Sequence, residues 1–178
     1  MRTINVPILK FDELSPKAKE QAKYDYKADC GFCHHDEYIE SLEKLAEHFG
    51  GSLGKWEVDW FESSYSHAEF DMPEMTGAEI RRRLATLGKY NKRTGKGHGE
   101  CKLTGVCSDE DAIDGFRIAF RKGERDLDAL MRAAFDSWLK GGQADCAGFY
   151  EDEQFAEHCE ANDYEFTEAG KFYHERAK

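Results

Sequence analysis

The chain has 178 residues, 40% of them hydrophobic and 13% aromatic, which suffices for one sizeable core, so a single domain over 1–178 is expected. No apolar run approaches the roughly 20 residues that span a bilayer, and MRTINVPILKFDELS lacks a signal-peptide core, so a cytoplasmic protein without membrane association is expected. The net charge of −11 disfavours a general polyanion binder, because nucleic acid and membrane surfaces repel such a chain on average.

That average hides an asymmetry. From Thr76 to Lys102 there are eight Lys or Arg against two Glu, a local +6, so the remainder carries −17. From Gln143 to Glu168 there are nine acidic residues and no Lys or Arg. Blocks of opposite sign within one fold commonly face each other, so internal ion pairing competes with docking as the explanation.

TINVPIL, residues 3–9, reads as a short strand that Pro7 places at a sheet edge. Ser15 followed by Pro16 is a helix N-cap with proline in the first turn, which predicts a helix over 16–27. After the CGFCHH turn, Asp36 caps a second helix with Tyr38, Leu42, Leu45, Ala46 and Phe49 at helical spacing, and Gly50-Gly51 ends it. Trp56, Val58 and Trp60 alternate with Glu57 and Asp59, and Ala68, Phe70 and Met72 alternate with His67, Glu69 and Asp71. That pattern predicts two half-buried strands of a hairpin, their aromatic residues forming the core face.

Thr76 caps a third helix with a narrow stripe of Ile80, Leu84 and Leu87. The Gly- and Lys-rich stretch at about 88–105 predicts a long mobile loop. Ser108 reads as the cap of a helix that turns Ile113, Phe116 and Phe120 inward. LDALMRAAFDSWLKGG predicts the strongest helix, stopped by Gly141-Gly142. A helix over 152–161 and a terminal hairpin with Gly170 in its turn complete the chain. Helices outnumber strands and the strands come as hairpins, so the class is α+β: a small antiparallel β-sheet built from hairpins, with several helices packed on it.

Few motifs carry chemistry. CGFCHH has the spacing of a covalent haem site, but haem attachment requires an exported protein. For zinc, Cys30 and Cys33 need a second pair, and Cys101 with Cys107 is the sole candidate, with an irregular gap; a turn between two helices explains the hexapeptide better. The Gly and Lys spacing of residues 88–100 does not fit a phosphate-binding P-loop, although Lys89, Lys92, Arg93 and Lys96 form a basic patch able to meet phosphates or an acidic protein face. Asp109, Glu110, Asp111 and Asp114 suit the first turns of a helix, where carboxylates favour its dipole, and lack a calcium-loop pattern. No nucleophile elbow, zinc-protease pattern or nucleotide fingerprint occurs, which argues against an enzyme, and no cofactor is expected.

FDELSPKAKEQAKYDY, VDWFESSYSHAEF, CKLTGVCSDEDAID and ANDYEFTEAGKFY together resemble a group of small, mostly uncharacterised proteins of tailed bacteriophages and prophages, some labelled antitoxins of toxin–antitoxin systems. The resemblance spans most of the chain and brings no catalytic residues. CGFCHH departs from that group's pattern. The resemblance implies a protein that binds and inhibits a host protein or ribonucleoprotein complex, such as an anti-CRISPR or other anti-defence protein. On this reading an acidic surface of Asp145, Glu151, Asp152, Glu153, Glu157 and Glu160 stands in for nucleic-acid phosphates. The alternatives are an antitoxin-like regulator that touches a partner protein or, secondarily, nucleic acid through the basic loop, and a small zinc-binding protein or enzyme.

Overall fold

The computed structural model describes residues 7–61, 65–87, 89–91, 96–98, 103–105 and 108–173, with 89–91 and 96–98 described by their backbone. The class is α+β, and the β-structure among the described residues is divided over three two-stranded antiparallel ladders. No helix among the described residues is long and apolar enough to cross a membrane. The chain forms two compact units: a terminal unit of Met1–Cys33 with Cys146–Lys178, and a central unit of His34–Asp145.

The terminal unit is built from both chain ends. Strand β1 (Ile8–Leu9) pairs with β6 (Phe166–Thr167), Ile8 opposite Thr167 and Leu9 opposite Phe166. Residues 3–6 of the predicted strand lie outside the described residues. A 3-10 turn at Phe11–Glu13 leads to α1 (Pro16–Cys30), whose first turn is capped by Ser15, its Oγ accepting from the Ala18 N–H at 3.3 Å. α1 runs a turn further than the sequence predicts and ends at Gly31, where a φ of 62° stops it. It buries Ala18, Ala22 and Tyr26, one residue per turn. These meet Phe11, Leu14 and Phe166, together with Phe155 and Cys159 of α6 (Asp152–Ala161). The predicted final turn is present, with Thr167 N–H donating to Lys171 O and Gly170 N–H to Thr167 O, both at 2.8 Å. Gly170 is required there: its φ is 80°, and a Cβ would overlap the Ala18 carbonyl.

The central unit rests on α2 (His35–His48), α4 (Ser108–Arg121) and α5 (Leu127–Phe149), the last contributing its residues up to Asp145. Their apolar stripes bury Leu42, Leu45, Phe116, Leu130, Met131 and Trp138. Phe49 stacks on Phe116 with ring centroids 4.5 Å apart. Gly141-Gly142 does not stop α5. A Cβ at Gly142 would overlap the rings of Trp60 and Tyr38, and one at Gly141 would overlap the Asp111 carboxylate, so these glycines are sites of close approach inside a continuing helix. Ser108 is likewise no cap in the predicted sense: it is the first residue of α4, buried, with its hydroxyl 2.6 Å from that of Ser41.

The hairpin strands are β2 (Ser52–Glu57) and β3 (His67–Asp71), with a shift in register between Leu53 and Trp56. The ladder therefore ends before Val58, where the alternation predicted a strand centre. Trp60 is buried outside the ladder, 5.3 Å from the Tyr38 ring and 5.1 Å from the Trp138 ring, whereas Trp56, Phe61 and Tyr65 are exposed. Of the aromatics on the predicted core face, Trp60 serves the helices, Phe70 is half-buried in β3 and Trp56 is exposed. α3 (Gly77–Thr86) starts at Thr76 with the reciprocal capping box, Thr76 N–H donating to Glu79 Oε2 at 2.9 Å and Glu79 N–H to Thr76 Oγ1 at 3.3 Å. The predicted long loop contains an antiparallel ladder, β4 (Lys89–Asn91) with β5 (Lys96–His98).

Candidate functional site: an acidic cleft in the terminal unit

A helix repeats its face at three- and four-residue intervals. On α6 that puts Glu153, Glu157 and Glu160 in one row, opposite the buried Phe155 and Cys159. The row lines a cleft of about 640 Å³ together with Lys10, Phe11, Asp12, Asp152, Asp163 and Tyr164. Phe11 gives it an apolar floor, its ring edge-on to Phe155 at 5.0 Å and buried to 3% exposure.

The carboxylates around the cleft fall into two sets. Asp152 is held by α1: Lys23 Nζ lies 2.9 Å from Oδ1 and Lys19 Nζ 3.9 Å from Oδ2. The Lys23 hydrogen bond holds the Asp152 carboxyl below its usual range against a small opposing effect of burial. Burial alone would lower Lys23, but its hydrogen bonds to Asp152 and Glu20 outweigh it and raise the ammonium. Lys19 also reaches Asp12 at 3.8 Å, and Lys10 reaches Asp163 at 4.0 Å and Glu165 at 3.7 Å. Glu153, Glu157 and Glu160 form the second set, and no described residue pairs with them. Like charges at i,i+4 weaken a helix by about 0.2–0.5 kcal/mol per pair, so this row carries a small repulsion that an external cation would relieve.

Of the acidic residues singled out in the sequence, Asp152, Glu153, Glu157 and Glu160 therefore share one cleft. Asp145 does not join them: it belongs to the central unit, where the Tyr38 hydroxyl donates to its carboxylate. Glu151 sits at the N-cap of α6 and is not part of the cleft wall. Asp12 and Asp163 were missed. Asp163 lies inside the acidic run, but nothing in the spacing joins Asp12 to residues 140 positions away; the 3-10 turn brings it there.

The basic set is described only in part. Lys89 and Lys96 lie on β4 and β5, and Lys92 and Arg93 lie outside the described residues. In CGFCHH, Cys30 and Cys33 are exposed thiols, and both histidines have structural partners. Trp60 Nε1 donates to His35 Nδ1 at 2.8 Å, and His34 Nδ1 lies 2.9 Å from Glu37 Oε2. Among the described residues no group of three or more His, Cys, Asp or Glu side chains is placed to hold a metal ion; Cys101 and Cys107 lie outside them. The acidic group of α4 is also accounted for at Asp109, which is buried and accepts from Thr104 N–H, Thr104 Oγ1 and Gly105 N–H at 3.0, 2.8 and 2.8 Å.

Comparison with known proteins finds no matching family model, no matching curated protein and no matching solved structure.

Proposed function

We propose that this chain is a non-enzymatic accessory protein that binds a cationic surface of a host macromolecule through the outer face of α6, as an anti-CRISPR or other anti-defence protein would. The observation that carries the reading is the row Glu153, Glu157 and Glu160: three exposed carboxylates on one helix face, without a cation among the described residues, lining a cleft with an apolar floor. Carboxylates at helical spacing match arginine or lysine side chains in a groove that otherwise receives phosphates. Such complementarity raises the association rate and selects against acidic partners.

The test compares the tagged full chain with its Glu153→Gln/Glu157→Gln/Glu160→Gln variant in nuclease-treated bacterial lysate. The expected result is a protein retained by the parent chain and bound about ten- to hundred-fold more weakly by the variant, mainly through the association rate. Binding indifferent to the triple change, but lost when Lys89, Lys92, Arg93 and Lys96 are replaced by Glu, would overturn this reading in favour of the basic segment.

A further inference from the structure

The cysteine pair of CGFCHH has no part in the acidic cleft, and its surroundings give it a chemistry of its own. Cys30 closes α1, and the Gly31 N–H still bonds to the Lys27 carbonyl at 3.1 Å. Gly31 then leaves the helix at a φ of 62°, with no heavy atom within 4 Å of the place a Cβ would occupy. Phe32 is buried and anchors the segment, while Cys30 and Cys33 on either side of the Gly-Phe pair are exposed. Two tyrosines back this segment. The Tyr150 hydroxyl donates to the Gly31 carbonyl at 2.5 Å, and the Tyr26 ring lies 6.4 Å from that of Tyr150. Both phenols are raised above their ordinary range, first by burial and then by nearby thiols, Cys30 and Cys33 among them in each case. The Gly31 carbonyl, between the two cysteines in the chain, is thus tied to this pair of rings.

We propose that Cys30 and Cys33 form a thiol–disulfide exchange site, which closes an intramolecular disulfide when it meets a low-molecular-weight disulfide such as glutathione disulfide. One thiolate attacks a sulfur of glutathione disulfide; a mixed disulfide forms and one glutathione leaves as its thiol. The second cysteine, as its thiolate, attacks the protein sulfur of that mixed disulfide and expels the second glutathione. The protein loses two protons and two electrons, which reduce one glutathione disulfide to two thiols. Disulfide geometry requires Cα atoms about 4.4–6.8 Å apart, and Gly31, which lies between the two cysteines with open space beside it, puts no side chain in the way of that approach. The buried thiols do not compete: Cys146 is fully enclosed, and burial pushes the Cys159 thiol up to about 12, so it stays protonated. The closure moves the Gly31 carbonyl to which Tyr150 is bonded, so the aromatic core of the terminal unit senses it.

The experiment treats the native full chain with glutathione disulfide, quenches by acid, and maps the cysteines by mass spectrometry. The expected product is a peptide linked between Cys30 and Cys33. A tethered thiol acts at an effective concentration in the millimolar range, so at about 0.1 mM free glutathione the linked form exceeds the mixed disulfide by about tenfold or more. Cys30→Ser and Cys33→Ser, both at exposed positions, should instead accumulate glutathione on the remaining thiol. A parent chain that carries glutathione without closing, stays unreacted, or links either cysteine to Cys101 or Cys107 would overturn the proposal. None of these outcomes depends on Glu153, Glu157 or Glu160, so the partner-binding reading stands or falls separately.

Discussion

The central and terminal units bury their cores by different means. In the central unit, three long helices turn recurrent apolar stripes inward and close on one another at small residues such as Gly142, and all three tryptophans lie in this unit. The terminal unit has a thinner supply. α1 gives its core two alanines and a tyrosine, so rings from both chain ends do most of the filling: Phe11, Tyr26, Phe155 and Phe166, flanked by Phe149, Tyr164 and Phe172. Tyr26 alone meets six neighbouring rings within 6.4 Å. Around this thin aromatic core the lysines of α1 pair with Asp12 and Asp152, whereas Glu153, Glu157 and Glu160 on the outer face of α6 have no ion-pair partner among the described residues.

The terminal core is most exposed to damage at Phe155, which is fully buried among those rings. Phe155→Ala should cost about 3–5 kcal/mol, the usual range for a large aromatic removed from a core. Hydrogen exchange should show the loss of protection in α6 and α1. If α2 and α4 are the elements that lose protection, the division into two cores is wrong.

In the central unit the corresponding weak point is polar. Asp109 is buried and ties down residues 104 and 105 with three hydrogen bonds. Asp109→Ala strands those donors and should cost roughly 3 kcal/mol, measured as a shift of the urea midpoint followed by tryptophan fluorescence. Gly142→Val probes the close approach instead. Its side chain has to displace Trp60 or Tyr38, at about 1–3 kcal/mol, with a change in tryptophan emission that Asp109→Ala does not produce.

These sites also mark where the sequence was legible. Local chemistry reads directly: Ser15-Pro16 and Thr76-x-x-Glu79 start helices where they should, and Gly170 sits in the turn its type demands. What depends on tertiary neighbours does not. Gly141-Gly142 looks like a stop signal until Trp60, Tyr38 and Asp111 are seen to need the space. The alternation from Trp56 to Trp60 looks like one strand face, yet Trp60 leaves the ladder for the Tyr38 and Trp138 rings. At the candidate site, the α6 row is visible as 153, 157 and 160 in the sequence, whereas Asp12 is supplied by a segment with no periodic relation to it. Asp145, grouped with that row by the run of charge, belongs to the central unit and bonds there to Tyr38.

The smallest expected effect separates structural from available carboxylates. Asp152 and Lys23 form an ion pair at 2.9 Å, but 57% of the Asp152 side chain is exposed. Water and salt screen such a pair, so Asp152→Asn should cost less than about 1 kcal/mol, and less still at high ionic strength. The pH dependence has a definite sign. The folded-state pKa of Asp152 lies below its ordinary 3.8, chiefly through the Lys23 hydrogen bond, so the contribution is complete at neutral pH. It fades once the pH falls below the unfolded value and is gone when the depressed folded value is passed. The difference in stability between parent and Asp152→Asn should therefore narrow on acidification below about pH 4 and not on moving from pH 7 to 8. The Glu153, Glu157 and Glu160 row should behave oppositely: neutralising it removes repulsion and leaves stability unchanged or slightly raised. A large loss of stability in the triple Gln variant would mean that those carboxylates have internal work, and would leave the cleft with no free charge to offer a partner.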